Sequence, residues 1–208
     1  MMAQLSSVDR ALVFRCVSVM GVLGAASMVG IASSLYLLNH HPLVLIALSP
    51  LGRHLVLVAP TVDPLAFVSV AVIRRLVFYL ASFQMGRALG PVGVDWLEIR
   101  SPRMGRFIRW LQTMFARASH VVVFLLPGPA LSTIAGSAGM HARVFVPIVT
   151  LGLIFRMVVM IGIAEWLRVP IERLLAEIDE YWIPGTVLLV AAMGVHYGYT
   201  HRSRRGAG

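Results

Sequence analysis

Long apolar stretches alternate with short polar ones along almost the whole chain. Residues 11–38, 65–83 and 144–167 each hold roughly the 20 apolar residues that cross a bilayer as a helix, and residues 183–199 approach that length. The first run is far longer than the core of a cleavable signal peptide, which holds about 7–15 apolar residues. The pattern predicts an all-α integral membrane protein with about four transmembrane helices, the first of them a retained anchor.

Two further apolar stretches are interrupted in their middle. Residues 41–60 contain two arms of about seven apolar residues around a Ser-Pro-Leu-Gly-Arg-His break, and residues 124–140 contain a Pro-Gly-Pro break. Backbone that is not helical is tolerated at membrane depth only where protein or a wet cavity satisfies its polar groups. We therefore expect two re-entrant helical hairpins or broken helices, with turns at Pro50 and Gly52 in the first stretch and at Pro127, Gly128 and Pro129 in the second.

Charge is scarce and consists mainly of arginine. Charged residues make up 13% of the chain against 58% hydrophobic residues, and the formal net charge is +9. Residues 103–117 place apolar side chains on one helical face and arginines on the other, which is typical of a helix in the membrane interface. A cytosolic helix packed on the protein is the alternative. Because the arginine clusters flank apolar spans, they indicate anionic lipid headgroups as partners and no nucleic acid.

The positive-inside tendency gives a topology. With both termini on the cytoplasmic side, the strong arginine clusters all lie inside and the acidic stretch 171–182 lies outside. The two hairpins then enter the bilayer from opposite faces. The expected location is the inner membrane of a bacterium.

The two interrupted stretches also resemble each other. When Pro127 is aligned with Pro50, an offset of 77 (127 − 50), Phe145 falls close to Phe67. Opposed copies of this kind form an inverted repeat, which places a substrate near the bilayer midplane. Chance resemblance between apolar runs is the alternative. Each copy continues into a span with arginine near its middle, namely Arg74 and Arg75 in the first copy and Arg156 in the second.

Arginines in apolar spans suggest a site for phosphate. An ionised side chain at the centre of a membrane helix costs about 2.5–3.5 kcal/mol, so it normally faces protein or water. The planar guanidinium matches the geometry of a phosphate group. A purely structural pairing of Arg74 or Arg75 with Asp63 is the alternative, and His54 and His141 are either titrating groups or interfacial donors. The predicted site comprises Arg53, Arg74, Arg75 and Arg156 as phosphate ligands and Asp63 and Glu165 as charge partners or proton carriers.

The motifs of common enzymes are missing from the sequence. It has no His-Glu-x-x-His zinc motif and no Gly-x-x-x-x-Gly-Lys-Ser/Thr phosphate loop. The single cysteine, Cys16, excludes an internal disulfide and a cysteine-based metal site. We expect a protein that is not an enzyme and that uses no metal or cofactor.

Three stretches resemble the DedA family, also called the VTT or SNARE-associated Golgi protein family, and most closely its actinobacterial branch. They are HPLVLIALSPLGRHLVLVAPTVD, FYLASFQMGRALGPVGVDWLE and LLPGPALSTIAGSAGMHARVF. The resemblance implies a DedA-like domain at residues 41–170, preceded by an anchor at 1–40 and followed at 171–208 by an outer amphipathic helix, a last span and a basic tail. It also implies two opposed re-entrant loops. Phe124 and Ala130 stand where many bacterial members of the family carry arginine.

The resemblance further implies movement of lipids between leaflets, either polyprenyl phosphate or phospholipid, which in some members depends on the proton motive force. Membrane lipids are then the partners, and the sequence leaves open whether a homo-oligomer forms. Two alternatives remain. One is a structural or partner-binding membrane subunit, favoured by the absence of arginine at Phe124 and Ala130, and the other is a proton-coupled transporter of a small solute.

Overall fold

The described part of the chain is helical throughout, without a strand. The computed structural model describes the backbone of residues 7–100, 113 and 119–171, and the side chains of residues 10–90, 113 and 119–171. A 3-10 turn at Ala59–Thr61 and helical residues 113, 119–125 and 168–171 complete the described elements. The helices are α1 (Ser7–Ala32), α2 (Ser34–His40), α3 (Pro42–Leu48), α4 (Gly52–Val58), α5 (Pro64–Arg100), α6 (Pro129–Ser137) and α7 (Ala142–Trp166).

Three helices are long and apolar enough to cross a membrane, and they correspond to three of the predicted spans. They cover Arg10–Ala32, Pro64–Gly90 and Ala142–Trp166, and their length and composition are consistent with a membrane protein. The other predicted span at 183–199 and the basic amphipathic helix at 103–117 lie outside the described residues, apart from the helical residue Thr113. Most of the acidic stretch at 171–182 does so too.

The ends of two predicted spans were wrong. The first helix stops at Ala32, since Ser33 forms a turn with φ −97° and ψ 13°. The Ser33 hydroxyl donates to the Val29 carbonyl at 2.7 Å. A hydroxyl bonded to the preceding helical turn competes with the backbone and bends a helix. The second span continues beyond residue 83 to Gly90, where φ is +53°. Glycine adopts this left-handed conformation readily, and it separates Pro64–Gly90 from the helical residues that follow.

Both predicted breaks are confirmed. The first broken segment, residues 42–58, consists of two seven-residue helices, α3 and α4, separated by residues 49–51. The second broken segment, residues 119–137, consists of helical residues 119–125 and α6, separated by residues 126–128.

The order of elements repeats along the chain. The helix after each break begins at Gly52 and at Pro129, an offset of 77 (129 − 52). The next long helix begins at Pro64 and at Ala142, an offset of 78 (142 − 64). Phe67 and Phe145 are each the fourth residue of that helix, and both are fully buried. The alignment that the sequence suggested therefore matches equivalent positions in the two copies.

The chain forms two compact units, and the three long helices contribute residues to both. One unit combines Met1–Gly24 with Ala71–Val159 and holds the second broken segment. Its fully buried side chains include Phe83, Val123, Phe145, Val149, Leu153 and Met157. The other unit combines Ala25–Val70 with Met160–Gly208 and holds the first broken segment. Its fully buried side chains include Leu45, Ile46, Leu55, Val58 and Phe67.

Candidate functional site

Glycines fix the second broken segment between two long helices. A Cβ at Gly86 of α5 would meet the Thr133 carbonyl of α6, and a Cβ at Gly136 of α6 would meet the Phe83 carbonyl of α5. A Cβ at Gly152 of α7 would meet the Phe124 carbonyl. Small residues allow the backbones of membrane helices to approach closely. The broken segment is therefore packed backbone to backbone against both α5 and α7.

An aromatic pair closes the contact between α5 and α7. The rings of Phe83 and Phe145 stack with centroids 4.2 Å apart and an interplanar angle of 13°. Both side chains are fully buried. This pair and the glycine contacts hold the described part of the unit as one packed body around the broken segment.

The break lies beside the turn of α7 that carries Arg156. Helical residues 119–125 run alongside α7 in the same direction, since His120 shares a cleft with Val144 and Phe124 contacts Gly152 and Phe155. The ring centroids of Phe124 and Phe155 are 5.6 Å apart. At 1.5 Å of rise per helical residue, a break that starts two residues after Phe124 lies level with the residues around Arg156.

Two arginines from different spans lie within electrostatic range of each other in this unit. Arg75 of α5 interacts electrostatically with Arg156 of α7 and with Tyr79, which lies one turn further along α5. Arg75 is partly buried, Tyr79 is buried and Arg156 is exposed. Like charges in an apolar setting repel one another, and an anion between two such arginines would reduce that repulsion.

Arg74 lies next to Arg75 in sequence but has a different contact. Its Nη2 donates to the Leu23 carbonyl of α1 at 2.7 Å. A hydrogen bond between a charged donor and a carbonyl contributes about 1.5–3 kcal/mol. This bond joins α5 to α1, so Arg74 has a defined role in packing.

Side chains donate hydrogen bonds to two carbonyl groups at the turn of the first broken segment. The Leu48 carbonyl accepts from the Ser27 hydroxyl of α1 at 3.1 Å, and the Ser49 carbonyl accepts from His54 Nδ1 at 3.0 Å. Arg53 Nε donates to His54 Nε2 at 3.3 Å, and the Arg53 side chain is exposed. The last carbonyls of a helix have no partner within it, and here side chains supply two of the donors.

The predicted acidic residues have local partners. Asp63 Oδ2 accepts from the backbone N–H of Ala66 at 2.9 Å, which caps the N-terminus of α5. Glu165 Oε1 pairs with Arg168 Nη1 at 3.1 Å, with side chains 60% and 52% exposed. An exposed pair of this kind is worth about 0–1 kcal/mol. Neither contact involves one of the four predicted arginine ligands.

His141 also has a defined place. It lines an open cleft of about 260 Å³ together with Ser119, His120 and Met140, at the start of α7. A second groove of about 300 Å³, lined only by apolar surface, also includes His120 and continues along Phe124 and Leu125.

Three residues that matter here were not singled out as site residues in the sequence. Tyr79 is four positions after Arg75, a spacing that puts two residues on the same helix face. Gly152 lies among large apolar residues, where a small residue is a signal of close helix packing. Ser49 is fully buried and its hydroxyl has no hydrogen-bond partner within the described residues, which the sequence gives no means of foreseeing.

No protein-family model, curated protein or solved structure matches this chain. The geometry described above is thus the basis for the functional interpretation that follows.

Proposed function

We propose that this protein moves a phosphate-bearing lipid between the leaflets of a membrane, as a flippase or scramblase. The observation that carries the proposal is the electrostatic interaction of Arg75 with Arg156, which belong to two long apolar helices, at the level of the break in the second broken segment. Two guanidinium groups that bind one ligand would match the oxygens of a phosphate, and each can donate two parallel hydrogen bonds.

The neighbouring groups favour the same ligand. Tyr79 adds a phenol next to Arg75, and α6 begins at the break with its N-terminal end. The N-terminus of a helix carries a partial positive charge and unpaired N–H groups, which favour an anion. In this proposal the break contributes to anion binding, because it brings polar backbone groups to the depth of the two arginines. The lipid tails would remain in the surrounding hydrocarbon during transfer.

Arg53 takes a separate role in this proposal. It is exposed at the turn of the first broken segment and belongs to the other unit. On the topology expected from the arginine distribution, this segment enters from the opposite face of the bilayer as a re-entrant hairpin. Arg53 would therefore contact headgroups from that leaflet.

The substrate class follows from the resemblance to the DedA family. A polyprenyl phosphate in the inner membrane of a bacterium is the leading substrate, and a phospholipid is the next. The family arginines missing at Phe124 and Ala130 have a substitute in this proposal. Phe124 packs on Phe155 of α7, and Arg156, the next residue of that helix, is the substitute that we propose.

A structural membrane subunit is the second candidate. The bond from Arg74 to the Leu23 carbonyl favours it, because it shows one mid-span arginine engaged in helix packing. The two candidates differ in what Arg75 and Arg156 do, and not in what Arg74 does.

Purified protein in liposomes tests the proposal. A fluorescent phospholipid is placed in both leaflets, and an impermeant reducing agent then destroys the label in the outer leaflet. We expect loss of clearly more than about half the signal with the wild type, and a large reduction for Arg75→Gln and Arg156→Gln. Arg168→Gln is the matched control, because it also removes an arginine but from an exposed pair. Unchanged transfer in both site variants would contradict the proposed site.

Loss of only half the signal by the wild type excludes passive scrambling of that phospholipid. The same liposomes with a labelled polyprenyl phosphate, with and without a pH gradient, then test the leading substrate. A lack of transfer there as well would leave the structural subunit as the function.

A further inference from the structure

The hydrogen bonds of His54 determine which of its nitrogens carries the proton. The Ser49 carbonyl can only accept, so His54 Nδ1 is protonated. Arg53 Nε can only donate, so His54 Nε2 presents its lone pair. The imidazole in this structure is therefore neutral, and it holds the guanidinium of Arg53 through Nε2.

Protonation of His54 would break this arrangement. Nε2 would lose its lone pair and become a donor, and two cations would face each other at the 3.3 Å that now separates Nε from Nε2. The guanidinium would then leave the imidazole, and the turn would carry two positive charges in place of one.

The surroundings of His54 contain few other ionisable groups. The described elements packed most closely on α4 are α2, α3 and the 3-10 turn. Tyr36 and His40 of α2 stack on each other with ring centroids 4.6 Å apart, and His41, which follows α2, lies against Tyr36. Neither α3 nor the 3-10 turn carries a titratable side chain, and the part of α1 around Ser27 and Gly30 carries none. Arg53 is the charged group that acts on His54.

The environment of His54 also shifts the pKa of its imidazole. His54 is 3% exposed, and this burial lowers the pKa of its imidazole. The bond to the Ser49 carbonyl acts in the opposite direction, and the charge of Arg53 lowers the pKa further. His54 therefore stays neutral at neutral pH and takes up its proton only on the acid side of the ordinary histidine value.

We propose that His54 is a proton-dependent positioning residue for Arg53, which holds the guanidinium when neutral and releases it toward an anionic headgroup when protonated. The inference rests on the proposed function, since it assigns Arg53 a phosphate-bearing lipid as ligand. It adds a pH dependence that lipid transfer at the Arg75–Arg156 site does not itself require. Binding at the first broken segment becomes stronger as the pH falls.

Ser49 is the second group at this turn. Its hydroxyl is fully buried and has no hydrogen-bond partner within the described residues. Leaving such a group unsatisfied costs about 1–3 kcal/mol. A rearrangement of His54 and Arg53 gives this hydroxyl an opportunity to gain a partner.

Lipid binding tests the proposal. The full-length protein is placed in phosphatidylcholine liposomes with a small share of spin-labelled phosphatidylglycerol, whose phosphodiester keeps its charge across the range. The immobilised share of the label reports the affinity. We expect the wild-type affinity to rise about fivefold from about pH 7.5 to about pH 5, the effect of one added charge close to the ligand.

Three variants separate the possible outcomes. His54→Asn keeps a nitrogen near the Ser49 carbonyl but does not titrate, so the pH response should disappear. His141→Gln removes a histidine that lies just before α7, outside both broken segments, and should retain the wild-type response. Arg53→Gln should bind weakly at both pH values. A wild-type pH response in His54→Asn would overturn the role of His54 while the lipid site stands.

A different result would overturn the proposed function itself. If Arg53→Gln, Arg75→Gln and Arg156→Gln all bind the lipid as the wild type does, the arginines are not its ligands. Nitrogen NMR of the labelled imidazole gives a readout that is independent of lipid. We expect the Nδ1–H tautomer of His54 at neutral pH, and a higher pKa in Arg53→Gln. The opposite tautomer would refute the proposed hold on Arg53.

Discussion

Gly152 of α7 faces the carbonyl oxygen of Phe124 at a separation that leaves no room for a side chain. This contact fixes the second broken segment along α7 and thereby sets its break level with Arg156. A methyl group at position 152 would have to push the two backbones apart. The position of the candidate site along α7 therefore depends on Gly152, which has no side chain that could contact a ligand.

Gly152→Ala should lower the melting temperature in detergent, because overpacking of a close contact costs about 1–3 kcal/mol. Gly162→Ala is the matched control in the same helix, since a Cβ there meets nothing within 4 Å. It should leave stability unchanged or raise it slightly, because alanine is the better helix former. Thermal unfolding followed by intrinsic fluorescence compares the two, and equal melting temperatures would refute the close packing.

The crossing of α5 and α6 gives a prediction about additivity. Gly86 and Gly136 lie at the same crossing, where each faces the backbone of the other helix. Gly86→Ala and Gly136→Ala should each destabilise the protein, and the double variant should lose less than the sum, since one separation of the helices relieves both clashes. A double-variant cycle of melting temperatures measures this. Full additivity would mean that the two contacts are independent.

Substitution at the Arg75–Arg156 site should change stability and lipid transfer in opposite directions. In a neutral detergent, Arg156→Gln removes a charge that repels Arg75 and should raise the melting temperature slightly. Lipid transfer should nevertheless fall. Anionic lipid should stabilise the wild type more than this variant, because a ligand that binds only the folded state raises stability. A lower melting temperature in this variant would instead support the structural subunit.

Arg74 should behave differently from its neighbour. Arg74→Gln removes the bond to the Leu23 carbonyl and should destabilise the protein by about 1–3 kcal/mol. Transfer should fall only as far as the folded fraction does. Comparing initial transfer rates per folded molecule for Arg74→Gln and Arg156→Gln tests this. An equal loss in both would return Arg74 to the phosphate site.

Much of the helical organisation could be predicted from hydrophobic runs and from proline. Pro50 and Pro127 marked both breaks because proline cannot donate its nitrogen to a helix. The end of α1 at Ala32 could not be predicted in this way, since Ser33 is compatible with an apolar helix and its turn conformation has no strong signal in the sequence. Elements with a strong local signal were thus predictable, whereas an end at a single serine was not.

The candidate site was predictable only as a set of residue types. Arg74 and Arg75 are adjacent in the same apolar run. Arg74 nevertheless bonds to α1, whereas Arg75 interacts electrostatically with Arg156. Their positions on a helix of 3.6 residues per turn differ by about 100°. Which neighbour lies in each direction is a matter of tertiary packing, and no local pattern in the sequence encodes it.

Substitutions of Asp63 can show whether its carboxylate carries a proton or only caps a helix. Its carboxylate accepts from the Ala66 N–H at the start of α5, and asparagine caps a helix about as well as aspartate. Asp63→Asn should therefore retain both the melting temperature and lipid transfer, whereas Asp63→Ala should lose about 0.5–2 kcal/mol of stability. Transfer driven by a pH gradient, measured for both variants, completes the test. If Asp63→Asn is stable but loses gradient-driven transfer, the carboxylate carries the proton, and capping is only its resting contact.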